Sequence, residues 1–432
     1  MDIISIVTTA IAIIMFFWVA YNIPPFIIGF QLWRLNRKQR MKQADASGSI
    51  DPPNDFQPKV SILVPVQNEE NVIERLLGKL VNLTYQNKEI IIVEDGSTDR
   101  TPNICRHWVE GYPKLIKCFH NTESNGKPTA INFAAKKATG EIVALYDADT
   151  IVEPDILEKI VPHFRDTSTM AVQGELESLN PDENIITRLS VLNDFIVNLQ
   201  QLGREKLNLF VPLLGTNQYV RRSILEEVGY WDSDALSEDT EISVKLARKG
   251  YKVKYVPVKA RVEAPAKLKV FVRQRMKWLR GYTQAAWKHA SFVRHPNWRT
   301  FDAQMMMLFP LMLIIGLMGY ITAVYGAINT NAVQAYGMSI VQILGVALLM
   351  LNLLSSAMVV ASNPKNAIYV PLLYVDWILL ASVSFYVHLR ALLGKQQSWT
   401  RTPKSGHVTV SVSEEARKGD KQTEVQRVSR ES

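Results

Sequence analysis

Ile142-Val143-Ala144-Leu145-Tyr146-Asp147-Ala148-Asp149 decides the fold of this chain. An apolar run too short for a helix ends abruptly in two acids. Short apolar runs bounded by turn signals mark strands that are covered on both faces. Asp147 and Asp149 lie two apart, so extended backbone points both carboxylates to the same side. Hard divalent cations such as Mg2+ or Mn2+ take oxygen ligands and share them with substrate phosphates. The pair is therefore a candidate metal site, beside the ordinary reading of an acidic surface loop.

Upstream, Val60-Ser61-Ile62-Leu63-Val64-Pro65 and Ile90-Ile91-Ile92-Val93 repeat the pattern. The first is followed by Gln67-Asn68-Glu69 and the second by Glu94-Asp95-Gly96-Ser97. Helical stretches, Glu70 to Leu80 and Thr101 to Glu110, lie between. Strands alternating with helices predict a parallel α/β sheet covered on both faces, and ligands bind such sheets beyond the carboxyl ends of the strands. Acids thus converge on one edge. Asp95 can accept a hydrogen bond from a base or a sugar edge while Gly96 permits a tight turn; equally, Ser97 or Thr98 helps to cap the next helix. Gly126-Lys127 opens the helix that holds Asn132. Its lysine suits a phosphate as a point charge, or is a solvated surface group.

Downstream, Ser237-Glu238-Asp239-Thr240-Glu241 opens a further helix. One reading has Ser237 capping it, with the acids at its positive end. The other makes one carboxylate a general base for an acceptor hydroxyl. Gln274-Arg275-Met276-Lys277-Trp278 reads as an interfacial helix, with basic side chains at the headgroups and Phe271, Trp278 and Trp287 buried. Trp278 could also face a sugar.

Apolar residues make up 47% of the chain but are unevenly spread. Ile3 to Ala20 carries no charge, and three more long apolar runs lie between Met305 and Gly394. A spanning helix needs roughly 20 such residues. The cluster Arg34, Arg37, Lys38, Arg40 and Lys42 follows the first run, which reads as an uncleaved anchor with the next region in the cytosol. Pro24-Pro25 is expected to break this run, with an interfacial helix beyond. The chain divides into an anchor, basic collar and linker (1–58), a cytosolic catalytic domain with its interfacial helix (59–302), a transmembrane region (303–394) and a polar cytosolic tail (395–432). The net charge of +8 suits a cell membrane with anionic lipid, and no continuous aromatic-basic surface points to nucleic acid. Cys105 and Cys118 are too few for a disulfide framework or a zinc cluster. A transporter is disfavoured because the hydrophobic block lacks several ionisable groups, Asp376 being the exception.

In this order, from Lys59 to Gly281, these segments resemble the processive, membrane-integrated family 2 glycosyltransferases, among them the cellulose, hyaluronan and poly-N-acetylglucosamine synthases. The resemblance implies an α/β GT-A nucleotide-sugar-binding domain plus an α-helical transmembrane region. It implies inverting transfer from a nucleotide-sugar donor, a UDP-sugar, to a growing polysaccharide that crosses the lipid bilayer; the alternative is single transfer to a polyprenyl phosphate or other lipid acceptor. On this resemblance Glu69 and Asp95 hold the uridine, Lys127 approaches the donor, and Asp147 and Asp149 bind the diphosphate through Mg2+ or Mn2+. Asp239 is then the catalytic base. Gln274, Arg275, Lys277 and Trp278 look like the Gln-x-x-Arg-Trp segment associated with the diphosphate and the acceptor end. Lys277 stands where Arg is usual, which loses the bidentate fork. Gln67 stands where Tyr is common, and Ser237 where Thr is usual. Trp399, Thr402 and Lys404 resemble a C-terminal motif that gates the donor site. Three full spans after the catalytic domain would leave that tail outside. One apolar run is therefore expected to be a hairpin, re-entrant or interfacial. The run from Ala367 to Gly394 is the candidate, since Pro371 interrupts its start and Asp376 sits inside it.

Overall fold

The computed structural model describes residues 3–45, 56–288, 296–328, 340–393 and 406. After a long N-terminal helix, α1 (Ile3–Asp45), the strands β1 (Val60–Val66), β2 (Lys88–Asp95), β3 (Ile116–Asn121) and β4 (Ile142–Leu145) form a parallel block. Successive side chains on a strand point to opposite faces, and here both faces are covered. Ile62, Val64, Ile90 and Ile92 pack with Leu76 and Leu77 of α2 (Ile73–Val81). Leu63, Ile91 and Val93 pack with Ile131 and Ala134 of α4 (Lys127–Lys137). α3 (Thr101–Gly111) adds Cys105 to the first of these clusters. Each such apolar side chain contributes about 1.5–3 kcal/mol on burial, which explains why the uninterrupted apolar strands were legible.

The sheet does not stay parallel. Its order is β3-β2-β1-β4-β7-β6-β8-β5, where β5 is Ile151–Val152, β6 Thr169–Ser178, β7 Gln218–Arg221 and β8 Lys252–Val262. β7 runs antiparallel to both β4 and β6, β6 is parallel to β8, and β5 is antiparallel to β8. The wholly parallel expectation therefore holds for one half and is corrected to a mixed sheet. β7 has Gln218 and Arg221 at its ends and β5 is only two residues long, so neither shows an apolar run. Between these strands come α5 (Ile156–Ile160), α6 (Ile185–Lys206), α7 (Arg222–Glu227) and α8 (Glu238–Arg248), followed by α9 (Leu268–Lys288).

The apolar helices are α1, α10 (Trp298–Met307), α11 (Phe309–Ile328), α12 (Ile340–Ser362) and α13 (Val370–Leu392). Among the described residues, Ile13–Lys38 and Pro364–Leu392 are long and apolar enough to cross a membrane, and α10 with α11 makes a third candidate bent by 46°. The expected break at Pro24-Pro25 is absent, since α1 runs through both prolines. Packing against α6 offsets the lost hydrogen bonds. The two helices touch so closely that a Cβ on Gly29 would lie 1.8 Å from the Leu199 carbonyl oxygen, and one on Gly203 1.7 Å from that of Pro25. Neighbouring helices rescue proline in this way. Pro371 does not interrupt its helix either; it sits in the first turn of α13, where an unpaired N–H would be wasted. On α9, Phe271 is buried as expected, but Trp287 is 81% exposed and Trp278 is 38% exposed.

Candidate active site

Beyond the carboxyl ends of β1, β2 and β4 lies a cavity of about 220 Å³. The strand-end residues Glu69, Asp95, Asp147 and Asp149 line it, as do Lys127, Glu238 and Asp239 at two helix starts and Gln274, Lys277 and Trp278 from α9. Most of the residues singled out in the sequence, spread over more than 200 positions, thus meet in one place. Arg275 does not. It points the other way on α9, with its guanidinium 4.2 Å from the Trp278 ring centroid and 4.6 Å from that of Phe271. Helical periodicity explains this, because a neighbour of Gln274 turns by about 100° around the axis. Trp399, Thr402 and Lys404 lie outside the described residues.

Lys127 is the electrostatic centre. Its ammonium contacts Glu238 Oε1 at 2.6 Å and Asp147 Oδ1 at 2.8 Å. Burial alone would lower the Lys127 pKa, yet the facing charges of Asp147 and Glu238 raise it, so the cation is held firmly charged. The same pairing acts on Glu238. Burial pushes its pKa up, but Lys127 and Lys277 bring it down to about 2. Lys277 is lowered by burial, partly opposed by Glu238.

Ser237 precedes α8 without capping it. Its hydroxyl donates instead to Asp239 Oδ1 at 2.5 Å, and the Thr240 N–H donates to the same oxygen at 2.8 Å. Oδ2 faces Gly215, where an added Cβ would stand 3.2 Å from it. Gly215 has a φ of +85°, and its missing side chain leaves room beside the carboxylate. Burial, and then the Glu238 charge, raise the Asp239 pKa. Such a carboxylate is a stronger base than one in water. α9 reaches this corner because Gly281 lies against α8; a Cβ there would be 2.2 Å from that of Ser237.

Asp149 is buried, and its Oδ2 accepts from the Glu263 N–H at 3.2 Å. Arg75 donates to its backbone carbonyl at 3.1 Å. Asp147 is the more open acid, and its N–H donates to Thr216 Oγ1 at 3.1 Å. Asp95 is largely spent on the neighbouring loop. Its oxygens accept from Asn121 Nδ2 at 2.9 Å, Ser124 Oγ at 2.8 Å and the Gly126 N–H at 3.0 Å. Glu238, Arg75, Gly215 and Glu263 were not singled out in the sequence as parts of the site. Only Glu238 had a signal there, its place beside Asp239.

The family model described as Glycosyl transferase family 2 matches residues 61–229. The probable glycosyltransferase YdaM of Bacillus subtilis is 30% identical over 373 residues, covering 80% of this chain and 86% of its own. Two further relatives match over about half their length. The beta-monoglucosyldiacylglycerol synthase of a Nostoc species is 34% identical over 212 residues, 48% of this chain and 44% of that one. The poly-beta-1,6-N-acetyl-D-glucosamine synthase of Staphylococcus aureus is 29% identical over 224 residues, 51% of this chain and 54% of that one. Among solved structures, a mannosyltransferase from Pyrobaculum calidifontis in complex with GDP-Man and Mn2+ has the same fold. Its TM-score is 0.57 at 21% identity, covering 88% of this chain and 100% of that one. Identity at that level along nearly the whole of one relative, over a mixed sheet with acids at its strand ends, means that the chain belongs to glycosyl transferase family 2 and is a hexosyltransferase of GT-A fold.

Proposed function

We propose that the chain transfers a sugar from a UDP-sugar to a hydroxyl of a growing polysaccharide, with inversion at the anomeric carbon, on the cytosolic side of the cell membrane. The observation that carries this reading is the meeting of Asp239 with Asp147, Asp149, Lys127 and Lys277 on one cavity. Among the described residues no cluster of three or more acidic, His or Cys groups could hold an ion by itself. Two carboxylates fit an ion that completes its shell with donor phosphates, as Mg2+ commonly does. Asp147 and Asp149 would hold it, and Mg2+ or Mn2+ there would offset charge on the departing diphosphate.

The remaining steps belong to the protein. Glu69 takes the uridine edge together with Asp95, whose remaining acceptor capacity is small because its oxygens also hold the loop from Asn121 to Gly126. Lys127 turns from Asp147 to the diphosphate, held in reach by Glu238, and Lys277 stands on the other side. Asp239 Oδ2 accepts the proton of the acceptor hydroxyl as that oxygen attacks the anomeric carbon. The bond from that carbon to the diphosphate oxygen breaks, and its electron pair leaves with the nucleotide diphosphate. Asp239 then returns the proton to water, and no covalent intermediate forms. Trp278 supports the acceptor ring. The tail residues Trp399, Thr402 and Lys404 close over the donor.

A second cavity, of about 270 Å³, shares Leu214 and Trp278 with the first and runs among α1, α6, α9, α11, α12 and α13. It offers the polymer a way into the membrane region. Its walls, with Phe26, Phe309, Met312, Leu351 and Leu373, are mostly apolar, which favours the second reading of a lipid acceptor. Incubation of the purified protein in nanodiscs with radiolabelled nucleotide sugars tests both. Release of nucleotide diphosphate with a product of many sugars supports the first. A single sugar on an extractable lipid supports the second, and no release from any donor overturns transfer itself.

A further inference from the structure

We propose that Arg280 of α9 and Arg390 of α13 grip the phosphate of an anionic phospholipid between them. The two helices run side by side in the same direction. Phe271 shares an apolar cluster with Leu373, Leu279 shares the next with Val383 and Val387, and Thr283 Oγ1 lies 3.2 Å from His388 Nε2. Arg280 therefore stands just before the level of His388. Arg390 starts farther along, but helical side chains lean back towards the N-terminus. It does so here: its Nη1 donates to the Tyr386 hydroxyl at 3.3 Å, and its guanidinium carbon lies 5.7 Å from that ring centroid. The two guanidiniums are thereby brought to one level.

Burial first, and then the Arg390 charge, lower the Arg280 pKa, with Tyr386 opposing. Among the described residues no carboxylate pairs with either arginine. Two like charges held close in this way favour an anion between them, and a guanidinium meets phosphate with parallel N–H bonds. A cation in the last turn of a helix also suits the helix dipole, which accounts for Arg390 alone. It does not account for Arg280, in the body of α9. Beside the pair, Phe385, Leu389 and Leu392 are exposed and share one face of α13 by their i, i+4, i+7 spacing. Phosphate for the arginines and acyl chains for this face describe one amphiphile, whereas a soluble anion would use only the charge. Lys269 is exposed on the same side of α9, but it lies roughly 16 Å along the helix from Arg280, too far to touch the same phosphate.

The test uses the full chain in a neutral detergent, with native mass spectrometry after addition of phosphatidylglycerol or phosphatidylcholine. It needs no turnover, so its outcome is independent of donor and acceptor. Phosphatidylglycerol should be retained as a single molecule per chain and more tightly than phosphatidylcholine. Arg280→Gln and Arg390→Gln should each weaken that retention by about tenfold, the scale of one hydrogen bond to a charged group. Arg390→Lys keeps the charge without the fork and should lose less than Arg390→Gln, a ranking that misfolding would not reproduce. Lys269→Gln should leave retention within about twofold, because an exposed charge at that distance is screened. Equal retention of the two lipids, or retention unchanged when both arginines are replaced by Gln, overturns the site. Displacement of the lipid by inorganic phosphate shows an anion site that the apolar face does not serve, and overturns the lipid assignment. Equal losses in Lys269→Gln and Arg280→Gln show a diffuse basic surface and overturn the grip.

Discussion

Asp239 holds two hydrogen bonds on Oδ1 and turns Oδ2 towards the space beside Gly215. A general base contributes about 10² to 10⁴-fold, so Asp239→Asn should lose that much in turnover with donor binding nearly unchanged. Its melting temperature should hold or rise, because the charge it removes is buried with a raised pKa. The raised value also fixes a pH dependence. The base is lost on protonation, so turnover should fall as pH drops through a value above that of a free aspartate. Glu238→Gln removes one cause of the shift and should move that acid limb to lower pH. Near-normal turnover in Asp239→Asn would eliminate it as the base. Glu238 itself was legible only as support for a helix start. Its burial against Lys127 could not be read, because that contact joins residues 111 positions apart. The acids at strand ends were legible because each follows an apolar run directly. Glu263 follows β8, where exposed and buried residues mix and no such run announces the site.

Elements carry the site by holding one another at close quarters. Glu89 on β2 accepts from Ser61 Oγ on β1 at 2.6 Å, and from the Thr139 N–H at 2.8 Å in the turn before β4. Burial pushes its pKa up, but these bonds bring it down to about 2. A depressed folded pKa means stability that is present above about 4.5, the unperturbed value, and lost as pH falls towards about 2. Glu89→Gln should therefore cost about 1–3 kcal/mol near neutrality, and the difference in melting temperature should shrink in acid. A constant difference from pH 7 to pH 3 would show that the carboxylate charge is irrelevant. Gly281→Val tests position without touching chemistry. A side chain there must push α9 off Ser237, carrying Gln274, Lys277 and Trp278 with it. A misplacement near 1 Å can cost about 10²-fold, so turnover should fall while α8 and the sheet remain folded by circular dichroism. The close approach at Gly281 leaves no mark in the sequence, since its partner Ser237 lies 44 positions earlier.

At the scale of the whole molecule, hydropathy and contacts disagree about α13. Pro364–Leu392 is apolar and long enough to cross a bilayer. Its contacts place both ends beside the catalytic domain. Just before α13, Asn366 Oδ1 accepts from Arg188 Nη2 of α6 at 2.7 Å. Along its length, Asp376 accepts from Asn193 at 2.8 Å and His388 meets Thr283 of α9 at 3.2 Å. Beyond it, Gly406 reaches Glu263. Mean hydropathy does not separate a span from a helix lying in the interface with one face in lipid. An interfacial α13 makes no net crossing and leaves the tail on the side of the catalytic domain, whereas a spanning α13 puts it on the other. The sequence reading chose this run for Pro371 and Asp376; Pro371 sits in the first turn of α13, and Asp376 accepts from Asn193 of α6. Single cysteines test this arrangement in a chain whose native Cys105 and Cys118 are replaced. Ser168→Cys, on the exposed turn before β6, marks the catalytic side, and Ser405→Cys marks the tail. For an interfacial α13, a membrane-impermeant thiol reagent should reach both from the same face of sealed vesicles. Labelling of Ser405→Cys from the face opposite Ser168→Cys would make α13 a true span and remove the tail from the donor site. Cutting the chain after Gly394 should then leave transfer intact, whereas the interfacial arrangement requires that cut to cripple transfer and a cut after Val410, which keeps Gly406, to spare it.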